Sequence, residues 1–303
     1  MRPSGDGGGT HRAKKAVNDK ELYKFLNKEY NRARSLAPGL INEAGRIDER
    51  FIADMLRRIK MQEGVFYKSL GSLGGGYHFI EYGTTASGGE QWLSIHTGSR
   101  NLGVKVANHW HVIANNPKRA PMVGYLWGDA LKGDLSDMVI AQAYARYNHI
   151  TIRDRIFEIL RKLNKARCLE SIFTTHNHIA LDEERLMLRK GAISAYEGER
   201  VCIPFNMCDG IAICRGKGNA DWNYSAPHGA GRFMSRAAAR KNIPLDLFRD
   251  MMAMVYSTSV GESTPDESPM AYKPMESIMR LMEPTVEIES LIRPKMNIKD
   301  RGE

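Results

Sequence analysis

A chain of 303 residues, 42% hydrophobic and 26% charged, is long enough to bury a full core, and its apolar runs fall far short of a bilayer span. The formal net charge of +9 favours polyanionic partners, nucleic acid foremost. With 8% aromatics and no RNP-like aromatic motif, the chain is not read as a stacking platform for single strands. The opening MRPSGDGGGTHRAKK has no apolar h-region, so no signal peptide is read, no membrane association is expected, and the expected location is cytoplasmic. Cys202, Cys208 and Cys214 are spaced by six and, with Cys168, form no CxxC pair, which argues against a structural zinc site and fits a reducing compartment.

In chain order, residues 1–15 are glycine-rich and basic and read as loop. NDKELYKFLNKEYNRARSL, from Asn18, has the spacing of an amphipathic helix capped by Asn18 or Asp19, and IDERFIADMLRRIK, 47–60, reads as a second. GSLGGGYHFIEYG, 71–83, reads as a glycine loop entering a strand, and EQWLSIHTGSRNLG, 90–103, as a strand followed by a polar turn. VKVANHWHVIANN, 104–116, reads as helix, as does 137–164, where apolar residues recur every three or four positions. CLESIFTTHNHIAL, 168–181, is expected as a strand ending in two histidines, and 188–207 as a hairpin turning at Gly198. SAPHGAGRFMSR, 225–236, leads into a helix over 232–240. Helix is then mixed with a Ser/Thr/Pro loop at 257–268. Without repeats, low-complexity linkers or a βαβ rhythm, the pattern points to a single α+β domain of mixed sheets with surrounding helices.

His78, His96, His176 and His228 sit at strand ends or in glycine turns, unlike His109, His111 and His149, which fall in helical patterns. Imidazoles on strand ends can be gathered by the fold into a metal site, although no local pair spacing defines one. His109 and His111 form an HxH, but on a helix they point about 200° apart and cannot readily share an ion. The loop GGGY, 74–77, could approach a phosphate through its backbone amides or simply turn into the strand. Glu81 follows His78 by three, which on a strand puts the two on opposite faces unless the chain bends.

Taken in order, GSLGGGYHFIE, HTGSRNLG, THNHI, RKGA, SAPHGAGRFMSR, DESPMAYKP and a terminal RP…K resemble the RtcB family of RNA ligases over nearly the whole chain. The resemblance implies the joining of RNA 3′-phosphate or 2′,3′-cyclic phosphate ends to 5′-hydroxyl ends, with GTP and Mn²⁺. It implies His228 as the nucleophile that takes GMP from GTP, and His78, His96 and His176 as manganese ligands. Glu81, Asn206, Ala230, Gly231 and Lys299 are implied at the guanine nucleotide, and Arg100 and Arg232 at phosphates of nucleotide or RNA. The implied partners are RNA ends such as tRNA halves or broken RNA, and either a separate N-terminal fragment or an archease-like activator. The net charge of +9 suits an RNA-end substrate.

The sequence also departs from that pattern. The family's DxxCG metal-binding segment has no counterpart here, so the chain is expected to be N-terminally truncated relative to the family, and a second Mn²⁺ to lack its bridging thiolate. Tyr77 stands where the family usually has asparagine, Leu188 where it has histidine, and Asn101 interrupts the usual glycine after HTGSR. Phe205 and Asn206 replace small residues, and Phe205 is expected to obstruct a phosphate. A diverged or incomplete homologue that binds RNA ends without joining them is the alternative reading.

Overall fold

The computed structural model describes residues 49–115, 124–164, 167–181 and 186–299. The helix expected from Asn18 and the loop over 1–15 lie outside the described residues. In chain order the elements are α1 (Glu49–Arg58), α2 (Glu63–Lys68), β1 (Phe79–Thr85), β2 (Gln91–His96), α3 (Asn101–Ala114) and α4 (Gly128–Asn164). They continue with β3 (His176–Leu181), β4 (Leu186–Ser194), β5 (Arg200–Pro204), β6 (Ile211–Gly216) and β7 (Ser225–Pro227). The last are α5 (Arg236–Asn242), α6 (Leu245–Met251), α7 (Met275–Met282) and the long β8 (Val286–Ile298), with short 3₁₀ turns between. One antiparallel sheet has the order β2-β1-β8-β6-β5 and a second the order β3-β4-β7. Helices packed beside antiparallel sheets make an α+β fold, as the sequence pattern indicates.

The N-terminal helices form their own core. Ile52, Met55, Leu56 and Ile59 of α1 and the turn after it recur at three- and four-residue spacing, and pack with Phe66, Leu102, Trp110, Ile140 and Tyr144. Asp137, wholly buried there, takes Arg58 at 2.7 Å and the Trp110 indole at 2.9 Å, so the buried charge is paired. That use of Asp137 explains why α4 begins at Gly128 rather than at 137. A residue with N-cap chemistry serves as an interior acceptor, and Gly133 lets α4 close on Trp110, whose ring would lie 2.4 Å from an added Cβ. Packing outweighs the weak helix propensity of those glycines.

A second core joins the two sheets: Ile193 of β4 and Ala226 of β7 meet Ile203 of β5, Cys214 of β6 and Met275, Ile278 and Met282 of α7. This arrangement corrects the expected hairpin at Gly198. β4 pairs with β3 and β7, whereas β5 pairs with β6, so the turn at Gly198 carries the chain from one sheet to the other. Glu199 holds that crossing by accepting from the Ser194 hydroxyl at 2.6 Å and the Tyr196 amide at 3.0 Å. The strand expected over 168–181 is regular only from His176. The helix expected over 232–240 starts at Arg236, where the Ser235 hydroxyl caps the Ala238 amide at 3.1 Å. Arg232 instead bridges to Tyr272 in extended backbone. All four cysteines are free thiols, and no described helix is long and apolar enough to cross a membrane.

Candidate active site

The ends of both sheets and the side of α4 enclose a cavity of about 960 Å³. Its wall includes His78, His96, His176 and His228 together with Glu81, Arg232 and Lys299. These residues come from positions spread over more than two hundred residues, so the fold gathers the four strand-end histidines that the sequence singles out.

His96 closes β2 and pairs with Phe79 across the sheet. His176 opens β3 at a register shift, where Asn177 takes a left-handed φ of 56°. The two imidazoles meet with their Nε2 atoms 3.4 Å apart. His228 follows β7, with its ring centroid 5.1 Å from that of His176. Burial, then the His176 and His78 charges, pushes His96 down to about 3; burial, then His228, pushes His176 down to about 4. Both rings are therefore neutral at pH 7, the form that ligates metals.

His228 has a defined tautomer. Its Nδ1 lies 2.8 Å from the Gly191 carbonyl, which can only accept, so Nδ1 carries a proton and, in the neutral ring, Nε2 holds the lone pair. The Gly191 amide donates to Asn177 Oδ1 at 2.8 Å, which fixes the turn presenting that carbonyl. Gly191 has φ 70°, and His228 Cε1 lies 3.8 Å from where a Cβ would sit. Ala230 donates its amide to the Pro204 carbonyl at 3.0 Å, and an added Cβ at Gly229 would stand 2.9 Å from that oxygen. The small residues beside His228 thus let this loop lie on the end of β5.

His78 stays outside the imidazole pair, its ring centroid 6.0 Å from that of His96. It precedes β1 in the glycine loop, so strand alternation does not separate it from Glu81, and both line the cavity. Arg100, whose guanidinium can only donate, lies 3.3 Å from His78 Nδ1. Burial, then Arg100, lowers the pKa of His78. The Arg100 Nη1 beside His78 also donates to the Leu73 carbonyl at 3.2 Å, and Arg100 Nε donates to Ser72 Oγ at 3.1 Å.

Glu81, 2% exposed, accepts from Asn297 Nδ2 at 2.8 Å through one oxygen, while the other has no partner. Burial raises its pKa to about 7, against the opposing effects of Asn297 and Lys299. Lys299, also buried, reaches Glu267 at 2.5 Å. Arg232 binds the other oxygen of Glu267 at 3.2 Å, and the Tyr272 hydroxyl donates to Glu267 at 3.1 Å. Asn206 is held by its own turn: its Oδ1 accepts from the Cys208 and Asp209 amides and its Nδ2 donates to Asp209. Phe205 is buried with Ile203, Ala230 and Met275 and also lines the cavity. Leu188 is exposed on β4.

Sequence reasoning misses three groups. His149, set aside as helical, lines the cavity and lies 3.4 Å from the Thr97 amide through Nε2. Asn148 ties the loops before β1 and after β2 to α4. Asp266 and Glu267 gather the cations at the cavity edge. All three carry a motif signal: AQAYARYNH, 141–149, ends in Asn148 and His149, DESPMAYKP begins with Asp266 and Glu267, and both stretches resemble the RtcB family.

Two of the histidines that the resemblance implies as metal ligands are spaced as two ligands of one divalent ion would be. Two imidazole nitrogens bonded at about 2.0–2.1 Å to one tetrahedral centre stand about 3.4 Å apart, as those of His96 and His176 do. Among the described residues no three His, Cys, Asp or Glu side chains converge as a ligand cluster. Among the described residues, the second Mn²⁺ implied by the resemblance finds no thiolate or carboxylate clustered with the pair, so these residues do not fit it.

A family model described as tRNA-splicing ligase RtcB matches residues 3–300. The chain belongs to the RtcB family. It is 30% identical over 254 residues to the RNA-splicing ligase RtcB of Escherichia coli K12, a match covering 77% of this chain and 62% of that relative. It is 27% identical to the tRNA-splicing ligase RtcB of Aeropyrum pernix, over 92% of this chain and 69% of that relative. The chain thus spans about three fifths of the E. coli RtcB.

Proposed function

We propose that this RtcB-family chain carries the nucleotidyl-transfer centre of a GTP-dependent RNA ligase that joins 3′-phosphate or 2′,3′-cyclic phosphate ends to 5′-hydroxyl ends. The observation that carries the reading is the fixed tautomer of His228. With Nδ1–H donated to the Gly191 carbonyl, Nε2 is a free nucleophile in a cavity also walled by Arg232 and Lys299. Attack of Nε2 on the GTP α-phosphorus forms a P–N bond, breaks the bond to the β-phosphate oxygen and releases pyrophosphate. A 2′,3′-cyclic phosphate is first opened by water, which breaks its bond to the 2′-oxygen and leaves a 3′-phosphate; the guanylate then passes to that 3′-phosphate, the 5′-hydroxyl attacks the activated phosphorus with loss of its proton, and GMP leaves. Arginine and lysine at the cavity suit the phosphates, and Glu81 supplies a buried hydrogen-bonding group for the base. His96 and His176 would hold Mn²⁺, which supplies Lewis-acid stabilisation of phosphate charge when bound.

The test is incubation with [α-³²P]GTP and Mn²⁺, with the chain alone and with an N-terminal segment of a full-length relative added. Label is expected on the wild type in at least one condition and none on His228→Ala. Folded wild-type protein that takes no label in either condition refutes the reading. A second reading, an RNA-end binder that does not ligate, is favoured by the lack of an anionic donor beside the imidazole pair among the described residues and by the engagement of Asn206 in its own turn. It predicts salt-sensitive RNA binding that His228→Ala leaves intact, without label.

A further inference from the structure

Phe173 lies in the segment that leads into β3 and lines the same cavity as His228. Its neighbour Ile172 packs against the core of Ile211, Ile213 and Ile292. Phe173 itself joins none of the hydrophobic clusters of the described residues and is 38% exposed. The ring is nevertheless held. The Arg146 guanidinium carbon lies 5.1 Å from its centroid, and the His149 imidazole stands perpendicular to it at 5.3 Å. His149 is fixed in turn, with Nδ1 2.7 Å from the Ala145 carbonyl and Nε2 3.4 Å from the Thr97 amide. An aromatic ring kept out of the core, braced by a cation and set in a cavity wall is the arrangement on which a nucleobase stacks.

The adjoining wall favours a base over a phosphate. The Ile179 amide lies 3.4 Å from Met138 Sδ, so the segment from Phe173 onward runs beside α4. There α4 presents Asp134, Met138, Ala141, Gln142 and Ala145 from one helical face. An acid, an amide and small or apolar side chains suit the flat body and polar edge of a base, whereas the acid repels a phosphate. Phe173 precedes His176 by three residues, at most about 10 Å of chain, which places it within reach of a nucleotide whose phosphate lies at the imidazoles.

We propose that Phe173, braced by Arg146 and His149, is the stacking platform for the base of the terminal nucleotide of an RNA end. The inference rests on the reading that the cavity takes RNA ends. One ring serves one base, so it does not make the multi-base platform that the composition argues against. The base belongs either to the 3′-phosphate strand or to the 5′-hydroxyl strand, and the two are separable.

Equilibrium binding is measured at fixed salt for two RNA decamers, one ending in a 3′-phosphate and one beginning with a 5′-hydroxyl. Each is also made with an abasic nucleotide at that end. The proteins are wild type, Phe173→Ala and Phe173→Tyr, with Phe173→Leu replacing the alanine variant if circular dichroism shows that one misfolded. For one of the two strands, removing the terminal base is expected to weaken wild type by about tenfold. Phe173→Ala is expected to weaken the intact strand by the same factor, and to bind its abasic form within about twofold of wild type. Phe173→Tyr keeps the ring and is expected within about twofold of wild type throughout. The strand that shows this coupling is the one whose base sits on Phe173. Intact RNAs bound equally by Phe173→Ala and wild type overturn the proposal, as does equal weakening of intact and abasic RNA. So does a wild type that binds neither strand. Wild-type protein that labels His228 but lacks the coupling retains the ligase reading and loses the platform. Protein that shows the coupling without label retains the platform and loses the ligase reading.

Discussion

Glu81 makes stability depend on pH in a direction opposite to an ordinary paired carboxylate. Its carboxyl is buried, with one oxygen on Asn297 and the other unpartnered, and its pKa is raised from the ordinary 4.5 to about 7. The folded state therefore binds the proton more tightly than the unfolded chain. The resulting stability is fully present below about pH 4.5 and is lost as pH rises through about 7. At about 1.4 kcal/mol per pH unit, that interval corresponds to a loss on the order of 3 kcal/mol. Glutamine mimics the protonated acid in shape and cannot ionise. Urea unfolding of wild type and Glu81→Gln at pH 5 and pH 8 isolates the effect, because all other titrating groups are common to both proteins. The variant is expected within about 1 kcal/mol of wild type at pH 5 and on the order of 2–3 kcal/mol more stable than wild type at pH 8. A stability difference that does not change with pH would show that Glu81 ionises as it does in water, and would remove the argument from burial.

Three further outcomes are expected. Asn148→Ala removes four hydrogen bonds, to the Gly71 amide, the Ser72 and Gly98 carbonyls and Thr97 Oγ1, from a wholly buried side chain. Urea unfolding should show a loss of about 2–4 kcal/mol, and hydrogen exchange should show faster exchange of the Gly71 amide. Gly210→Ala adds a Cβ 2.0 Å from the Ile292 carbonyl at φ 84° and should cost about 2–4 kcal/mol by the same assay. Gly191→Ala strains a φ of 70° and should cost only about 1–2 kcal/mol of stability. Because it disturbs the carbonyl that sets the His228 tautomer, it should reduce guanylate labelling far more than stability.

The fold is legible where local pattern and packing agree. α1 and β1 follow from apolar spacing and from the glycine loop entering a strand, since burial there selects the residues that periodicity picks out. It is not legible where a residue's local chemistry is turned to another use. Asp137 reads as a helix start but is an interior acceptor for Arg58 and Trp110, so nine residues of α4 go unread. Gly198 reads as a hairpin turn, yet whether the strands on either side pair with each other depends on β6 and β7, which offer better partners beyond the local window.

The site shows the same division. His96, His176 and His228 are legible because imidazoles at strand ends have few reasons to be there, and the motif resemblance is what suggests the roles proposed for them. Their mutual distances are not legible, because a strand order of β2-β1-β8-β6-β5 beside β3-β4-β7 has no trace in local spacing. Tyr77 marks the limit more sharply. Read alone, it is a bulky residue in a glycine loop that stands where a smaller polar one is usual. Its ring lies against Arg232 and Arg236, which come more than one hundred and fifty residues later, and the acceptor that anchors Arg232 is Glu267. A substitution that looks like lost polarity in one segment becomes a gained cation–π contact once three segments meet, and no reading of Tyr77 alone shows it.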